Sequence, residues 1–259
     1  MGKKREVESE VADSMRRDWD LRAQDDPFYA IGSSVHHEGF ESFYLRGEEL
    51  VASQVDPVLE QLHVDPSKGR VLEIGCGMGR LFPGLARRFA RVAGVDISTT
   101  MIARGKAACP VDAEWTVGSG RSLEAIESSS VDYVISFEVF QHIPDREIIW
   151  NYLSEIERVL KPEGCFQVQM RQASDTRRQA IVGGLPRAGR VVVARALKAI
   201  EVTPVEGDID TWLGTIVPPA EALRSATAAG LTRLEILPDE VHLPGMGYWL
   251  IGKRGSSTG

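Results

Sequence analysis

The sequence has few cysteines, no long apolar run and no excess of basic residues. Its three cysteines are scattered and form no C-x-x-C pair, which argues against a disulfide framework and favours reduced thiols. A formal net charge of −7 argues against broad affinity for nucleic acids or acidic membranes. No apolar run approaches the length of a membrane span, and the N-terminal residues lack the apolar segment of a signal peptide. We therefore expect a cytoplasmic protein with no nucleic-acid partner and no stable membrane insertion.

What the sequence does contain is an alternation of short β-branched runs and helical patterns. With 259 residues, 43% of them apolar, the chain is long enough for one large α/β domain with a buried core. Helices are predicted near 80–89, 98–108 and 145–160. The predicted strands between them are 71–74, 92–95, 114–117, 131–137 and 165–170. The alternation predicts a doubly wound parallel sheet.

The stretch 71–80 consists of the first predicted strand and a glycine-rich loop that follows it. Its glycines alternate at positions 75, 77 and 79, so a ligand could lie directly against the main chain. The dinucleotide fingerprint G-x-G-x-x-G is not met, because Arg80 and Phe82 occupy the places of the third glycine. Glu73, inside the strand, suits a ligand that carries an ammonium group or hydroxyls. The stretch therefore predicts a nucleotide-type site.

Further candidate ligand-binding residues follow the other strands, since such a sheet binds its ligand beyond the carboxyl ends of its strands. Asp96 ends the second strand, 21 residues beyond Gly75, about where an acid accepts the two hydrogen bonds of a ribose diol. The third strand is followed by Gly118-Ser119-Gly120, and the fourth by the segment 137–144.

These motifs, together with the strand 131–136 and Leu160-Lys161-Pro162-Glu163-Gly164, resemble the class I S-adenosylmethionine-dependent methyltransferases over residues 69–170. The resemblance implies that S-adenosylmethionine is the cofactor. It assigns the glycine loop to the methionine part, Asp96 with Ile97 to the ribose, and Ser119 with Gly120 to the adenine. The full set of cofactor-binding residues that we expect is Glu73, Gly75, Cys76, Gly77, Arg80, Asp96, Ile97, Met101, Ser119, Gly120, Phe137 and Tyr29.

The resemblance also implies a fold and a division of the chain. The fold is a Rossmann-like α/β sheet, doubly wound and mostly parallel, with seven strands and a C-terminal antiparallel hairpin formed by 232–237 and 248–253. Residues 1–68 are expected to form an N-terminal helical lid, and 69–170 the cofactor-binding core. Residues 171–218, which begin with a basic stretch, form a variable substrate cap, and 219–259 complete the core.

Within the lid, apolar residues recur every four positions from Val7 to Trp19, which predicts an amphipathic helix that ends at Asp26-Pro27. Residues 28–45 are rich in aromatic residues among glycines and serines and are interpreted as irregular chain. A second helix is predicted from about Glu48 to Leu62.

Candidate catalytic residues come after the fourth strand. Glu138, Gln141 and His142 are spaced i, i+3 and i+4, so one helical turn would place them on one face. The group resembles the E-x-x-E-H element that holds a divalent metal in some methyltransferases, but Gln141 replaces the second acid, and we expect no metal. A hydroxyl acceptor needs a base, for which His142 is the first candidate and His37 the second.

The predicted function is therefore methyl transfer from S-adenosylmethionine to a small molecule, with a hydroxyl as the preferred acceptor. Transfer to nitrogen or carbon remains an alternative. A nicotinamide-dependent oxidoreductase and a non-catalytic cofactor-binding relative on the same fold also remain open. The chain has neither an Asn/Asp-Pro-Pro-aromatic turn nor a Pro-Cys nucleophile, which disfavours DNA base methylation. The sequence does not predict an oligomeric state.

Overall fold

The computed structural model describes residues 2–25, 27–28, 39–172, 214–243 and 245–255 of the chain. Two residues predicted to belong to the site, Tyr29 and His37, lie outside the described residues. So does most of the predicted substrate cap, from residue 173 to residue 213. Within the described residues, no helix combines the length and the apolar character needed to cross a membrane.

Seven strands form one sheet in the order β3-β2-β1-β4-β5-β7-β6. Strands β1 to β5 pair in parallel, whereas β7 runs antiparallel to both of its neighbours, β5 and β6. The predicted Rossmann-like sheet and its C-terminal antiparallel hairpin are therefore confirmed. The strands are β1 Arg70–Ile74, β2 Arg91–Asp96, β3 Glu114–Val117, β4 Val131–Ser136, β5 Leu160–Arg171, β6 Leu231–Asp239 and β7 Gly247–Arg254.

The strand order reverses at β1, which pairs with β2 on one side and with β4 on the other. Neighbouring residues of β1 point to opposite faces of the sheet, so Val71 and Leu72 belong to two different apolar clusters. Both are fully buried, as expected for a central parallel strand that is covered on both faces. The carboxyl ends of β1, β2 and β4 therefore meet at a switch point, the usual place for a ligand.

The helices largely follow the predicted pattern, with one difference in the N-terminal part. The predicted second helix begins at Gly39 rather than near Glu48, so the aromatic residues that were interpreted as irregular chain are partly helical. Phe43, Tyr44 and Gly47 form the buried face of this helix. The helices are α1 Gly2–Asp25, α2 Gly39–Leu50, α3 Asp56–Gln61, α4 Phe82–Ala86, α5 Thr99–Ala108, α6 Arg146–Val159 and α7 Pro219–Ala228.

A π-helical segment, Val51–Val55, joins α2 to α3 without a break in the helix. The backbone N–H of Asp56 donates to the carbonyl of Val51, five residues back, which is the π-helical pattern. Pro57 follows at once and has no N–H to donate, so it disfavours regular α-helical bonding at this junction.

Helix α2 packs directly against the glycine-rich loop that follows β1. The hydroxyl of Tyr44 donates to the carbonyl of Met78 at 3.1 Å. A Cβ atom at Gly47 would lie only 1.7 Å from the carbonyl oxygen of Arg80, so only glycine permits this approach. Helix α2 thus supports the loop from behind.

Candidate active site

The loop after β1 turns sharply back across the carboxyl end of β2. The N–H of Gly75 donates to the carbonyl of Val95 at 2.7 Å. Gly75 has a φ of +75°, and a Cβ atom there would lie 2.2 Å from the Val139 side chain, which comes from the chain that follows β4. The loop is therefore pressed between the ends of β2 and β4, where its bare backbone forms part of a cavity wall.

Asp96, the last residue of β2, joins this loop to the start of α5. One carboxylate oxygen accepts the N–H of Gly77 and the other accepts the N–H of Ser98, both at 2.8 Å. Burial and the neighbouring Asp20 raise the pKa of Asp96 to about 6, although the two backbone hydrogen bonds favour its charged form. The carboxylate also faces the cavity, where its remaining lone pairs can accept hydrogen bonds from hydroxyl groups.

Glu73 and Arg80 place opposite charges at the glycine-loop end of the cavity. Glu73 is 4% exposed, and burial raises its pKa well above the usual value, while Arg80 opposes that shift. Its Oε2 atom has no hydrogen-bond partner among the described residues. Arg80 donates from Nη2 to Glu138 at 2.6 Å, whereas its buried Nε has no partner within the same set. A ligand with both an ammonium group and a carboxylate would satisfy these groups.

The chain after β4 brings the three predicted catalytic-region residues to the cavity, although not on one helical turn. Glu138 has a left-handed backbone with φ of +58°, and its N–H donates to Gln169 Oε1 at 2.7 Å. A single 3₁₀ turn, Phe140–His142, follows it. Glu138, Gln141 and His142 all line the cavity.

His142 contacts both Gln141 and the N-terminal helix. Its Nε2 atom lies 3.2 Å from Nε2 of Gln141, and its ring meets Trp19 edge to face, with 5.3 Å between ring centroids. Glu138 is instead bound to Arg80. In the described part of the chain, no three His, Cys, Asp or Glu side chains come together in a way that could hold a metal ion.

Helix α1 lies across the cavity and contacts the ends of several strands. Met15 and Trp19, one helical turn apart, line the cavity. Arg16 Nη2 donates to the carbonyl of Gly118, after β3, at 3.0 Å. Asp20 accepts hydrogen bonds from the Ser98 hydroxyl at 2.6 Å and from the Thr100 N–H at 3.0 Å, at the N-terminus of α5. An acid at that position also suits the helix dipole.

The cavity has a volume of about 360 Å³, within the range of small-molecule sites. Ser119 does not line it, because its hydroxyl pairs with Ser122 at 3.2 Å in the loop after β3. The expected cofactor-binding residues that do line it are Glu73, Gly75, Cys76, Gly77, Arg80, Asp96, Ile97, Met101, Gly120 and Phe137.

Comparison with known proteins relates the part of the chain that forms this cavity to methyltransferases. Residues 72–168 match the family described as Methyltransferase domain. A ubiquinone biosynthesis O-methyltransferase of Xanthomonas oryzae is 31% identical over 104 residues, which is 39% of this chain and 42% of that protein. The chain thus matches less than half the length of this curated relative. A relative of the same name from Aeromonas salmonicida is 25% identical over 72% of this chain and 74% of its own.

Solved structures share the fold at lower sequence identity. Phosphoethanolamine N-methyltransferase 2 of Haemonchus contortus, in complex with S-adenosylhomocysteine, has a TM-score of 0.56 at 18% identity and covers 79% of this chain and 53% of its own. A methyltransferase of Methanosarcina mazei has the same TM-score and identity, and the match covers 78% of this chain and 98% of that protein. Residues 72–168 of the chain thus match a methyltransferase domain, on a fold that these solved structures share.

The side chains in the cavity of this methyltransferase domain fit S-adenosylmethionine. The unpartnered Glu73 Oε2 suits the ammonium group of the methionine part, and Arg80 suits its carboxylate. Asp96 suits the ribose hydroxyls, and the glycine loop leaves room for close approach of the ligand to the backbone.

The cavity is also lined by residues that the sequence did not predict to belong to the site, among them one from a helix, one from a strand end and one from a loop. Tyr152 comes from α6, Arg171 from the end of β5 and Leu243 from the loop between β6 and β7. Tyr152 occupies an apolar-face position of an amphipathic helix, so its spacing is the same as that of a core residue. Arg171 does have a signal in the sequence, because it directly follows a predicted strand at the carboxyl end of the sheet.

If Asp96 binds the ribose, S-adenosylhomocysteine should bind less tightly as the pH falls through about 6. The ribose hydroxyls donate to the ionised carboxylate, and the raised pKa means that Asp96 takes up a proton in this range. Asp96→Asn should weaken binding by about 1.5–3 kcal/mol, the range for bonds to a charged group, and should reduce the pH dependence to what Glu73 contributes. Titration calorimetry between about pH 5 and pH 8 measures both effects.

Asp112→Asn is the matched control, because Asp112 is exposed and does not line the cavity. It should leave both the affinity and its pH dependence unchanged. A wild-type affinity that stays constant across this pH range would contradict the assignment of Asp96.

Proposed function

We propose that the chain binds S-adenosylmethionine in this cavity and transfers the methyl group to a hydroxyl oxygen of a small-molecule acceptor. The observation that supports an oxygen acceptor is the position of His142, whose imidazole lines the same cavity as Glu73 and Asp96. The relatives named ubiquinone biosynthesis O-methyltransferases agree with this choice. The identity of the acceptor and the activity of the whole protein belong to this proposal.

The bound cofactor would supply a methyl group that is already activated by its sulfonium charge. The protein then has to align the acceptor, exclude water and remove the hydroxyl proton. Glu73, Asp96 and the glycine loop hold the cofactor in one orientation. Good alignment alone is worth effective molarities of about 10⁵–10⁸ M in favourable cases.

His142 is the base in this proposal, since an imidazole with a pKa near neutrality suits removal of a hydroxyl proton. Trp19 packs against its ring, and the Gln141 amide donates to its Nε2 atom, a hydrogen bond that must break before Nε2 can accept the hydroxyl proton. Glu138 is less suited to the task, because a proton on its carboxylate would weaken the ion pair with the buried Arg80. We therefore assign Glu138 the role of positioning Arg80. His37 lies outside the described residues and stays a prediction.

Helix α1 is proposed to act as a lid that keeps water from the reacting groups. It lines the cavity through Met15 and Trp19, and Arg16 and Asp20 attach it to the ends of β3 and β2. The remaining predicted divisions, including a substrate cap over 171–218, stay predictions, as does the cytoplasmic location.

The test is an assay with labelled S-adenosylmethionine and matched panels of phenols, catechols, alcohols and amines. We expect the label to be found on oxygen. His142→Asn should lower kcat by about 10²–10⁴-fold, the usual contribution of a general base, without changing the affinity for S-adenosylhomocysteine. A chelator should have no effect on the wild-type rate.

The control is His63→Asn, at an exposed histidine whose left-handed φ of +53° asparagine tolerates. It should retain the full rate. Label on nitrogen, or full turnover by His142→Asn on its best hydroxyl acceptor, would refute a hydroxyl acceptor with His142 as base.

The lid is tested by hydrogen exchange of α1 with and without S-adenosylhomocysteine. Because Met15 and Trp19 line the cavity, the ligand should slow exchange in the second half of α1 by about 10-fold or more. Helix α7, on the far part of the sheet, serves as an internal reference and should not change. Equal exchange of α1 in both states would exclude the lid role.

A further inference from the structure

Tyr152 is a buried residue whose hydroxyl has no hydrogen bond to any residue that the structure describes. Its side chain is 6% exposed, and it lines the cavity from α6. The hydroxyl is not sealed from solvent, so a ligand in the cavity can reach it. The two fully buried tyrosines among the described residues instead have partners within the protein. Tyr133 donates to Gln167 and Tyr248 to the carbonyl of Val217.

Helix α6, which carries Tyr152, is attached to the segment that follows β3. Asn151, next to Tyr152, donates from Nδ2 to the carbonyl of Arg121 at 2.5 Å. Glu155, one turn further on, accepts the N–H of Leu123 at 2.8 Å. Arg158 donates to the carbonyls of Leu123 and Ile126 at 2.8 and 2.9 Å. This side of α6 is therefore attached to the loop that begins with Gly118.

The residues that line the cavity from the ends of β2 and β3 include one polar side chain, Asp96, whereas Gln141, whose Oε1 has no partner among the described residues, belongs to the chain after β4. The hydroxyl of Ser119 is already paired inside its loop, with Ser122. Gly118 and Gly120 line the cavity and have no side chains, while Ile97 is apolar. Asp96 is the remaining polar group nearby, and the proposed function assigns it to the ribose.

The surroundings of Tyr152 favour its oxygen as a hydrogen-bond acceptor. Its ring packs on Phe140 with 5.5 Å between centroids, which fixes the direction of the hydroxyl. Burial raises its pKa, and the charges of Asp96, Glu124 and Glu155 raise it further, so the group stays protonated. The same negative charges attract the hydroxyl hydrogen, which leaves the oxygen lone pairs for a donor.

We propose that the Tyr152 hydroxyl accepts a hydrogen bond from the exocyclic amino group of the cofactor's adenine and so distinguishes adenine from other purines. The inference rests on the cofactor part of the proposed function and is independent of the acceptor. The ribose hydroxyls are the other donors at this end, and Asp96 takes those. Tyr152 of α6 would thus bind the adenine amino group, which the Ser119 hydroxyl does not reach because it is paired with Ser122.

The experiment compares Tyr152→Phe with Tyr133→Phe, two buried tyrosines of which only the first lines the cavity. Tyr152→Phe breaks no hydrogen bond among the described residues, so the Tm of the free protein should stay the same or rise. It should weaken binding of S-adenosylhomocysteine by about 3- to 10-fold, the effect of one neutral hydrogen bond. Tyr133→Phe should lower the Tm of the free protein and leave the affinity unchanged.

A second ligand identifies the atom involved, namely the S-adenosylhomocysteine analogue with hydrogen in place of the adenine amino group. Wild type should bind this analogue about 3- to 10-fold more weakly than S-adenosylhomocysteine, and Tyr152→Phe should bind the two alike. Equal affinity of wild type and Tyr152→Phe for S-adenosylhomocysteine would overturn the inference. The inference would also be overturned if Tyr152→Phe and the loss of the adenine amino group weakened binding additively. The hydroxyl would then contact another atom of the ligand. Failure of wild type to bind either ligand would refute the cofactor assignment itself.

Discussion

The structure of the site depends on one carboxylate, Asp96, which holds two segments of backbone together. It accepts the N–H of Gly77 from the glycine loop and the N–H of Ser98 from the start of α5. These bonds fix the loop to the end of β2, and Asp20 of α1 then binds the same Ser98. The positions of loop, strand, helix and lid are therefore all set around a single side chain that also faces the cavity.

A second constraint is the order of charges along the cavity wall. Glu73 lies beside Arg80, and Arg80 is paired with Glu138. The backbone of Glu138 is bound in turn to Gln169, whose amide donates to Asp239 at 2.5 Å. Hydrogen bonds to Asp239 hold the pKa of this buried side chain at about 2, although burial alone would raise that pKa. The chain of contacts connects the cofactor end of the cavity to the loop that carries Leu243.

The sequence predicts the sheet, and it places the glycine loop and Asp96 where the structure has a cavity, because those signals are local. A buried strand followed by alternating glycines, and an acid at the end of the next strand, lie within about thirty residues of each other. The helix from Gly39 was missed since glycines and aromatics favour irregular chain, whereas packing of Gly47 on the Arg80 carbonyl compensates for the low helix propensity.

Contacts between distant parts of the chain leave no such signal. Arg16 reaches Gly118 across 102 positions, and nothing in either segment indicates the pairing. Tyr152 has the spacing of a core residue, and it nevertheless lines the cavity. Ser119, which the family resemblance assigned to the adenine, is hydrogen-bonded to Ser122 and does not line the cavity.

The most direct test of the account is a crystal structure of the chain with S-adenosylhomocysteine. We expect the ammonium group beside Glu73, the ribose hydroxyls on Asp96 and the adenine amino group at Tyr152, with α1 covering the ligand. A ligand bound outside the cavity, or reversed so that its adenine lies beside Glu73, would contradict the account.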